Sequence, residues 1–362
     1  MSLGLPSISI QFLHKSTSAI VRGSRGIVAL ILKDTKSVGG TTINDLSEIP
    51  TDLSDTNKDL IEKAFLGNTN APKKIELFVI DSTESATTNS KIGDATKYFE
   101  NVTFDYLAFP SGIESDLASI VTFIKSMRDT LGIKCKAVLA NSASDYEGII
   151  NVTQDDVVVG STTYTTAQFT ARVAGLLAGT DLRVSCTYSE LPEVDSIPYE
   201  SRDDISDAIE NGEFVLFKEA GKIKVARGVN SLTTLTSPST PKSETFQKIK
   251  LVDIMDLISN DLRTACRDYY IGKFANSYDN KCLLIVAIRG YLDTLVKEGL
   301  IENATADIDL EQQTTYLKQK GVDVADMSES DIRQANTQDK VFIKVTCSLI
   351  DAIEDITIKV YI

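Results

Sequence analysis

The side chains that most often carry out acid–base and metal chemistry are scarce in this sequence. There is one histidine, His14, and no tryptophan. Histidine is the commonest general base near neutral pH and a common metal ligand. A Ser-His-Asp or Cys-His site would have to be built around His14, in the N-terminal stretch. The five cysteines, Cys135, Cys186, Cys266, Cys282 and Cys347, are scattered and form no CxxC pair. That spacing argues against a mixed Cys/His zinc site and for free thiols in a reducing compartment. No GxxxxGK[ST] phosphate loop, no GxGxxG after a strand and no GxSxG elbow is present. Two carboxylate groupings remain. Asp155 and Asp156 are adjacent, point apart, and suit a turn. Asp253, Asp256 and Asp261 lie on a helical stretch at spacings of three and five, which reads as a solvated face. The sequence therefore predicts no catalytic residue, no cofactor and no metal.

Elements without chemistry of their own must then carry the function. With 362 residues the chain exceeds a typical single core, and two or three domains are expected. A net charge of −14 disfavours nucleic-acid binding, which relies on clustered Lys and Arg. No apolar run approaches the ~20 residues of a membrane helix, and the first dozen residues lack the pattern of a signal peptide.

Residues 1–25 read as an arm, closed by Gly23-Ser24-Arg25-Gly26. Residues 26–84 read as a small β-rich domain, with strands at Ile27–Leu32, Thr41–Leu46 and Lys74–Ile80 and one helix capped by Thr56. Residues 85–237 alternate helix and strand with short links, which argues for a mainly parallel sheet covered by helices. Expected strands there include Phe104–Phe109, Lys134–Ala140, Ile149–Val159 (broken by a turn) and Leu182–Thr187. A Ser/Thr/Pro linker spans residues 231–242. Residues 238–350 read as an α+β domain. One long helix, Thr245–Tyr269, presents Val252, Met255, Ile258, Leu262, Ala265 and Tyr269 as a core stripe. A second helix, Asn280–Glu298, presents Leu284, Ile288, Tyr291 and Leu295.

The two ends of the chain share one character. Ile8, Ile10 and Phe12 alternate with polar residues after Pro6. Val341, Ile343, Val345, Cys347 and Leu349 fall on one face of a strand spanning residues 340–349. After an acidic break at residues 351–355, Ile356, Ile358, Val360 and Ile362 repeat the pattern in a last strand, residues 356–362. An apolar-faced terminal strand is stable only when paired. It pairs within its own domain, or it adds to a sheet of another chain.

Three further stretches carry a resemblance: Lys224–Leu235 leading into the linker, Tyr270-Ile-Gly-Lys with Asn276-Ser-Tyr-Asp-Asn-Lys281, and Ile10-Gln-Phe followed by Gly26-Ile-Val-Ala-Leu. In order and spacing the chain resembles the tail sheath proteins of contractile-tailed phages. The likeness covers essentially the whole chain and is nearest to the short sheaths of Gram-positive myophages, defective prophages and contractile bacteriocins. It implies a small β-rich N-terminal domain, a central α/β domain of subtilisin-like topology without a triad, a C-terminal α+β domain and extended terminal arms. It also implies no enzymatic activity.

The resemblance further implies a helical homopolymer of hexameric rings around an inner tube protein, with baseplate and tail terminator proteins as further partners. It implies no nucleic acid, and a target membrane met only indirectly. Assembly would take place in the bacterial host cytoplasm, and the product would be a virion tail or phage-tail-like particle. The arms would exchange strands through Ile8, Ile10, Phe12, Val341, Ile343, Val345, Ile356, Ile358 and Val360. Flexible segments at Gly23–Gly26 and Asp351–Asp355 would act as hinges. Lys318 and Lys320 are candidates for tube contact. The alternatives are a soluble α/β enzyme working as a carboxylate-dependent hydrolase, or another structural protein of a tail or baseplate.

Overall fold

The computed structural model describes residues 20–23, 25–83, 88–235 and 242–361. The chain divides into two compact units. The larger, the sheet unit, holds residues 23–260 and the C-terminal segment from Leu349. The smaller, the helical unit, holds residues 261–348 with the chain up to Arg22.

The sheet unit is built on seven strands. They are β1 (Ile27–Asp34), β2 (Gly39–Ile43), β3 (Lys74–Asp81), β4 (Tyr106–Ala108), β5 (Lys136–Ala140), β6 (Ile149–Val152) and, after two short strands described below, β9 (Glu213–Phe214). Their order is β2-β3-β1-β4-β5-β6-β9. Only β2 is antiparallel to its neighbour; every other pair is parallel. A strand in such a sheet is buried on both faces, which is why β1 reads as an unbroken apolar run. Val28, Leu30 and Leu32 enter one core with α1 (Asp55–Phe65) and α4 (Thr166–Ala178). Ile27, Ala29 and Ile31 enter a second core, with α2 (Thr88–Glu100) and α3 (Glu114–Lys125) on the opposite face. Gly175 permits the close approach of α4 to α1: a Cβ there would lie 1.9 Å from the carbonyl oxygen of Ala64.

The rest of this unit is peripheral. It comprises the hairpin of β7 (Val157–Val159) and β8 (Thr162–Tyr164), the helix α5 (Arg202–Glu210) and the hairpin of β10 (Leu216–Glu219) and β11 (Lys222–Val225). The helix α6 (Ile249–Ala265) follows, and the division between units falls within it. The helical unit continues through a π-helical turn, Cys266–Tyr270, into α7 (Tyr278–Lys297). It then holds β12 (Ile301–Ile308), α8 (Leu310–Gln319), α9 (Glu329–Gln334) and β13 (Ile343–Leu349).

Several expectations change. The strands of residues 26–84 form no sheet of their own, since β1 and β3 lie inside the main sheet beside β4. Residues 182–187 are turns rather than a strand. There the Asp181 carboxylate accepts the Arg183 N–H at 2.8 Å, a local turn bond that competes with a ladder. Ser54, not Thr56, caps α1. The expected last strand at residues 356–362 is not one within this chain, because residues 350–361 make no ladder.

The long helix also differs from the expected stripe. Met255, Ile258 and Leu262 are half-buried and Tyr269 is exposed, while Ile249, Asp253, Ile254, Asp256, Leu257 and Asp261 are buried. Three carboxylates on the buried side of a helix replace the solvated face that their spacing suggested. By contrast, Leu284, Ile288, Tyr291 and Leu295 of α7 are buried as their period requires.

Candidate assembly site

Asp253 and Asp256 of α6 are met by cations of the sheet unit, only one of which, Lys136, lies on a strand. Lys136, on β5, donates to Asp253 at 2.7 Å and to Asp256 at 2.5 Å. Tyr106, on β4, donates its hydroxyl to Asp253 at 2.7 Å. Arg128 grips Asp256 through Nη1 at 2.7 Å and Nη2 at 3.0 Å, and also donates to the Cys135 carbonyl. Glu147 stands 3.7 Å from Arg128 and is paired in turn with Lys242 at 2.6 Å. Burial pushes the Asp253 carboxyl up, but Arg25 and Lys136 overcome this and leave it below the usual carboxylate range. Burial acts likewise on Asp256, and Lys136 and Arg128 bring it down. The result is a charge-balanced, dry weld between α6 and the sheet. Such pairs hold geometry more than they add stability, and losing one partner is far more damaging than never having the pair.

Arg25 joins this network at the base of the N-terminal stretch. Its Nη2 lies 3.1 Å from Asp253, and its Nε lies 3.5 Å from Asp105. Asp105 also accepts the N–H groups of Gly26 and Ile27 at 2.8 and 2.9 Å. The expected hinge at Gly23–Gly26 is therefore fastened at its inner end. Gly26 supplies the turn, with φ at +86°.

The base of the C-terminal segment is fastened as well. The Glu354 side chain is only 8% exposed. Its Oε1 accepts from Ser185 at 3.0 Å and Thr187 at 2.6 Å, and its Oε2 lies 3.1 Å from Arg227 and 3.5 Å from Lys248. Asp351 pairs with Lys248 at 2.5 Å, and Asp355 pairs with Arg227 at 2.7 Å. Burial pushes Glu354 up, yet the Thr187 hydroxyl and the Lys248 charge bring it below its ordinary value. The acidic break at residues 351–355 is thus a clamp rather than the flexible hinge expected of it. Each acidic residue whose charge suggested a solvated link has a cation waiting on the sheet unit.

Immediately beyond the clamp the contacts stop. Ile356, Ile358 and Val360 are 72%, 78% and 78% exposed. An alternating apolar segment is held out in solvent, with its backbone in no ladder. In the helical unit, β13 pairs with β12 alone among the described residues, so its other edge is open. Asp309 donates its N–H to the Phe342 carbonyl at 3.0 Å, and the Thr305 and Thr346 hydroxyls meet at 2.6 Å. These two contacts run in opposite senses along the strands, as in an antiparallel pair.

Over 359 residues the chain is 44% identical to the tail sheath protein of Clostridium phage phiCD119, covering 99% of both proteins. The chain belongs to the phage tail sheath family. Family models match accordingly: the phage tail sheath protein central domain over residues 85–231 and the phage tail sheath C-terminal domain over residues 241–362. Among solved structures, the sheath tail protein of Desulfitobacterium hafniense superposes with a TM-score of 0.69. It is 23% identical, with 83% of this chain and 94% of that one covered. The contracted helical sheath of the anti-feeding prophage gives 0.73 at 13% identity, with 99% of each chain covered. At these identities the likeness is one of fold. The chain is a structural component of a contractile tail, with a mixed α/β multidomain fold.

In this sheath-family chain the residues named from sequence are distributed as follows. Ile343 and Val345 are half-buried on β13, alternating with exposed Lys344 and Thr346. Val341 lies before the strand, which starts at Ile343, and is exposed, while the neighbouring Phe342 ring packs 5.4 Å from the Tyr316 ring. Ile356, Ile358 and Val360 lie on the exposed segment. Lys318 and Lys320 are exposed at the end of α8, with Lys320 Nζ 5.6 Å from the Tyr316 ring centre. Ile8, Ile10, Phe12 and His14 lie outside the described residues. Asp155 and Asp156 lie in an irregular link between β6 and β7, which belong to different sheets, so the expected hairpin turn is not formed; Asp156 has a φ of +49° and Asp155 accepts the Thr166 N–H at 2.9 Å. No helix among the described residues is long and apolar enough to cross a membrane.

Sequence reasoning missed the anchoring residues Arg25, Arg128, Lys136, Arg227, Lys248 and Glu354. One signal was available. Lys136 interrupts an otherwise apolar strand, Cys135 to Ala140, and a lysine in a strand buried on both faces needs a buried anion.

Proposed function

We propose that this chain is the repeating subunit of a contractile tail sheath that polymerises by exchanging terminal strands between neighbours and contracts to drive an inner tube through a cell envelope. The observation that carries the reading is the apolar segment Ile356–Tyr361, held exposed and unpaired within its own chain. Its natural partner is an open strand edge, and β13 offers one on every copy. Ile356, Ile358 and Val360 of one subunit then pair beside Ile343 and Val345 of the next, with Ile8, Ile10 and Phe12 completing the ladder. Backbone bonds of this kind survive rotation of one subunit against another. Contraction then needs no nucleotide, only a metastable assembled state.

The same reading makes the partners the chain itself in hexameric rings, the inner tube protein, and the baseplate and tail terminator proteins. It places assembly in the host cytoplasm, gives the central part a subtilisin-like topology and assigns Lys318 and Lys320 to the tube. Contracted sheaths among the fold neighbours support it.

Negative-stain microscopy of the concentrated full-length protein, beside versions lacking residues 1–13 or 351–362, tests the proposal. Hollow tubes from the full chain alone are expected. Tubes from both shortened versions would remove strand exchange as the assembly device.

A further inference from the structure

We infer that Glu354 is a positioning residue for assembly: it fixes the point at which the C-terminal segment leaves the subunit. The inference rests on the strand-exchange reading and adds a requirement to it.

The change in character along the tail is abrupt. From Asp351 to Asp355 the chain is tied down by Lys248 and Arg227, with Glu354 at the centre accepting from both Ser185 and Thr187. From Ile356 onward the side chains point into solvent. Glu354 is the one side chain of this stretch that is buried and touches both cations. The receiving groups are themselves held in place: Thr187 Oγ1 accepts the Gly228 N–H at 3.0 Å, and Lys248 lies at the start of α6.

A tail rooted at a fixed point searches a small volume for the neighbouring strand edge. A tail free from Leu349 onward would search a larger one, and strand pairing would have to supply the extra ordering entropy. The clamp pre-pays that ordering at folding. It is electrostatic, so its hold weakens with ionic strength, although partial burial limits the screening.

The test compares the full-length protein with Glu354→Ala, Glu354→Asp and a version ending at residue 350. Three quantities are read: the thermal midpoint, the backbone 15N–1H nuclear Overhauser effect over residues 350–355 of the monomer, and the protein concentration at which tubes first form. Glu354→Ala is expected to keep the wild-type midpoint to within about 3 °C. Its nuclear Overhauser effect over 350–355 drops towards that of a free tail, and tubes form only at a concentration higher by about tenfold. Glu354→Asp recovers part of both. Added salt raises the threshold for the wild type more than for Glu354→Ala, a difference that a purely structural residue would not produce.

An unchanged nuclear Overhauser effect in Glu354→Ala, or an unchanged threshold while the version ending at 350 forms no tubes, overturns the inference and leaves strand exchange standing. If the version ending at 350 assembles like the wild type, strand exchange through the tail fails, and this inference fails with it.

Discussion

Arg128 and Asp256 face each other through two hydrogen bonds, Nη1 to Oδ2 at 2.7 Å and Nη2 to Oδ1 at 3.0 Å, and both residues are buried. The pair joins α6 to the turn after α3, and Lys136 shares the same carboxylate. Removing Asp256 leaves two buried cations facing each other. Asp256→Ala is expected to lower the free energy of unfolding by about 3–5 kcal/mol. A urea titration followed by circular dichroism measures this. A loss below about 1 kcal/mol would mean that water enters the site and solvates Arg128 and Lys136.

The network also sets the response to acid. Asp253 and Asp256 lie below their ordinary values in the folded chain, and Asp145 is brought down to about 2 by the N–H groups of Thr234 and Thr233. A depressed folded value means that the unfolded chain takes up protons first as pH falls. The stabilisation is therefore complete above the unfolded carboxylate value of about 4 and is lost on descending through the folded values. Since His14 is the only histidine, stability is expected to be nearly flat from about pH 8 to pH 5 and to decline below about pH 4. Urea midpoints at pH 7.5, 5.5 and 3.5 check this. A marked fall between the first two would require a different titrating group.

Two glycines make opposite predictions. At Gly175 an added Cβ meets backbone, the Ala64 carbonyl oxygen at 1.9 Å, so Gly175→Ala must push α1 and α4 apart. A loss of about 1–3 kcal/mol or more is expected. At Gly290, within α7, a Cβ meets nothing within 4 Å. Gly290→Ala should stabilise the folded chain by about 0.5–1 kcal/mol through the lower entropy of the unfolded chain. Thermal unfolding of the two variants under conditions that keep the protein monomeric decides both.

Ile358 separates folding from assembly. It is exposed within its own chain, so Ile358→Asp should leave monomer stability within about 0.5 kcal/mol of the wild type. The same change puts a carboxylate on the apolar face of the exchanged strand, and tubes should be absent at concentrations where the wild type forms them. Sedimentation and negative-stain microscopy read the assembly. Wild-type tubes from this variant would place the segment outside the subunit interface.

Much of the fold was legible where burial and period agree. The apolar runs Ile27–Leu32 of β1 and Ala137–Ala140 of β5 and the three-and-four stripe of α7 are written directly in residue type. The α6 stripe misled because apolar period alone decided which side was inside. Asp253 and Asp256 contradict hydropathy, and their partners Arg25, Arg128 and Lys136 lie more than a hundred residues away in sequence. Local pattern names neither partner of such a pair; only Lys136, set in a buried strand, signals that an anion must meet it. The strand β12 was invisible for a different reason. In its sequence, Ile-Glu-Asn-Ala-Thr-Ala-Asp-Ile, Glu302, Asn303, Ala304, Ala306 and Asp307 are of types depleted in strands, and Asn303 sits at a φ of +52°. In the C-terminal segment the exposed alternation was readable. The fastening of residues 351–355 was not, because acidic residues in a row look alike whether solvated or clamped.

The bases of both terminal segments converge on one short piece of helix. Arg25 reaches Asp253, and Asp351 and Glu354 reach Lys248. Lys248 immediately precedes α6, and from it to Asp253 a helical rise advances the chain only about 8 Å. A pull on either end of the chain is therefore delivered to the same rigid girder, already welded to the sheet through Lys136 and Arg128. Tension entering at one terminus and leaving at the other crosses a few ångströms of hydrogen-bonded backbone.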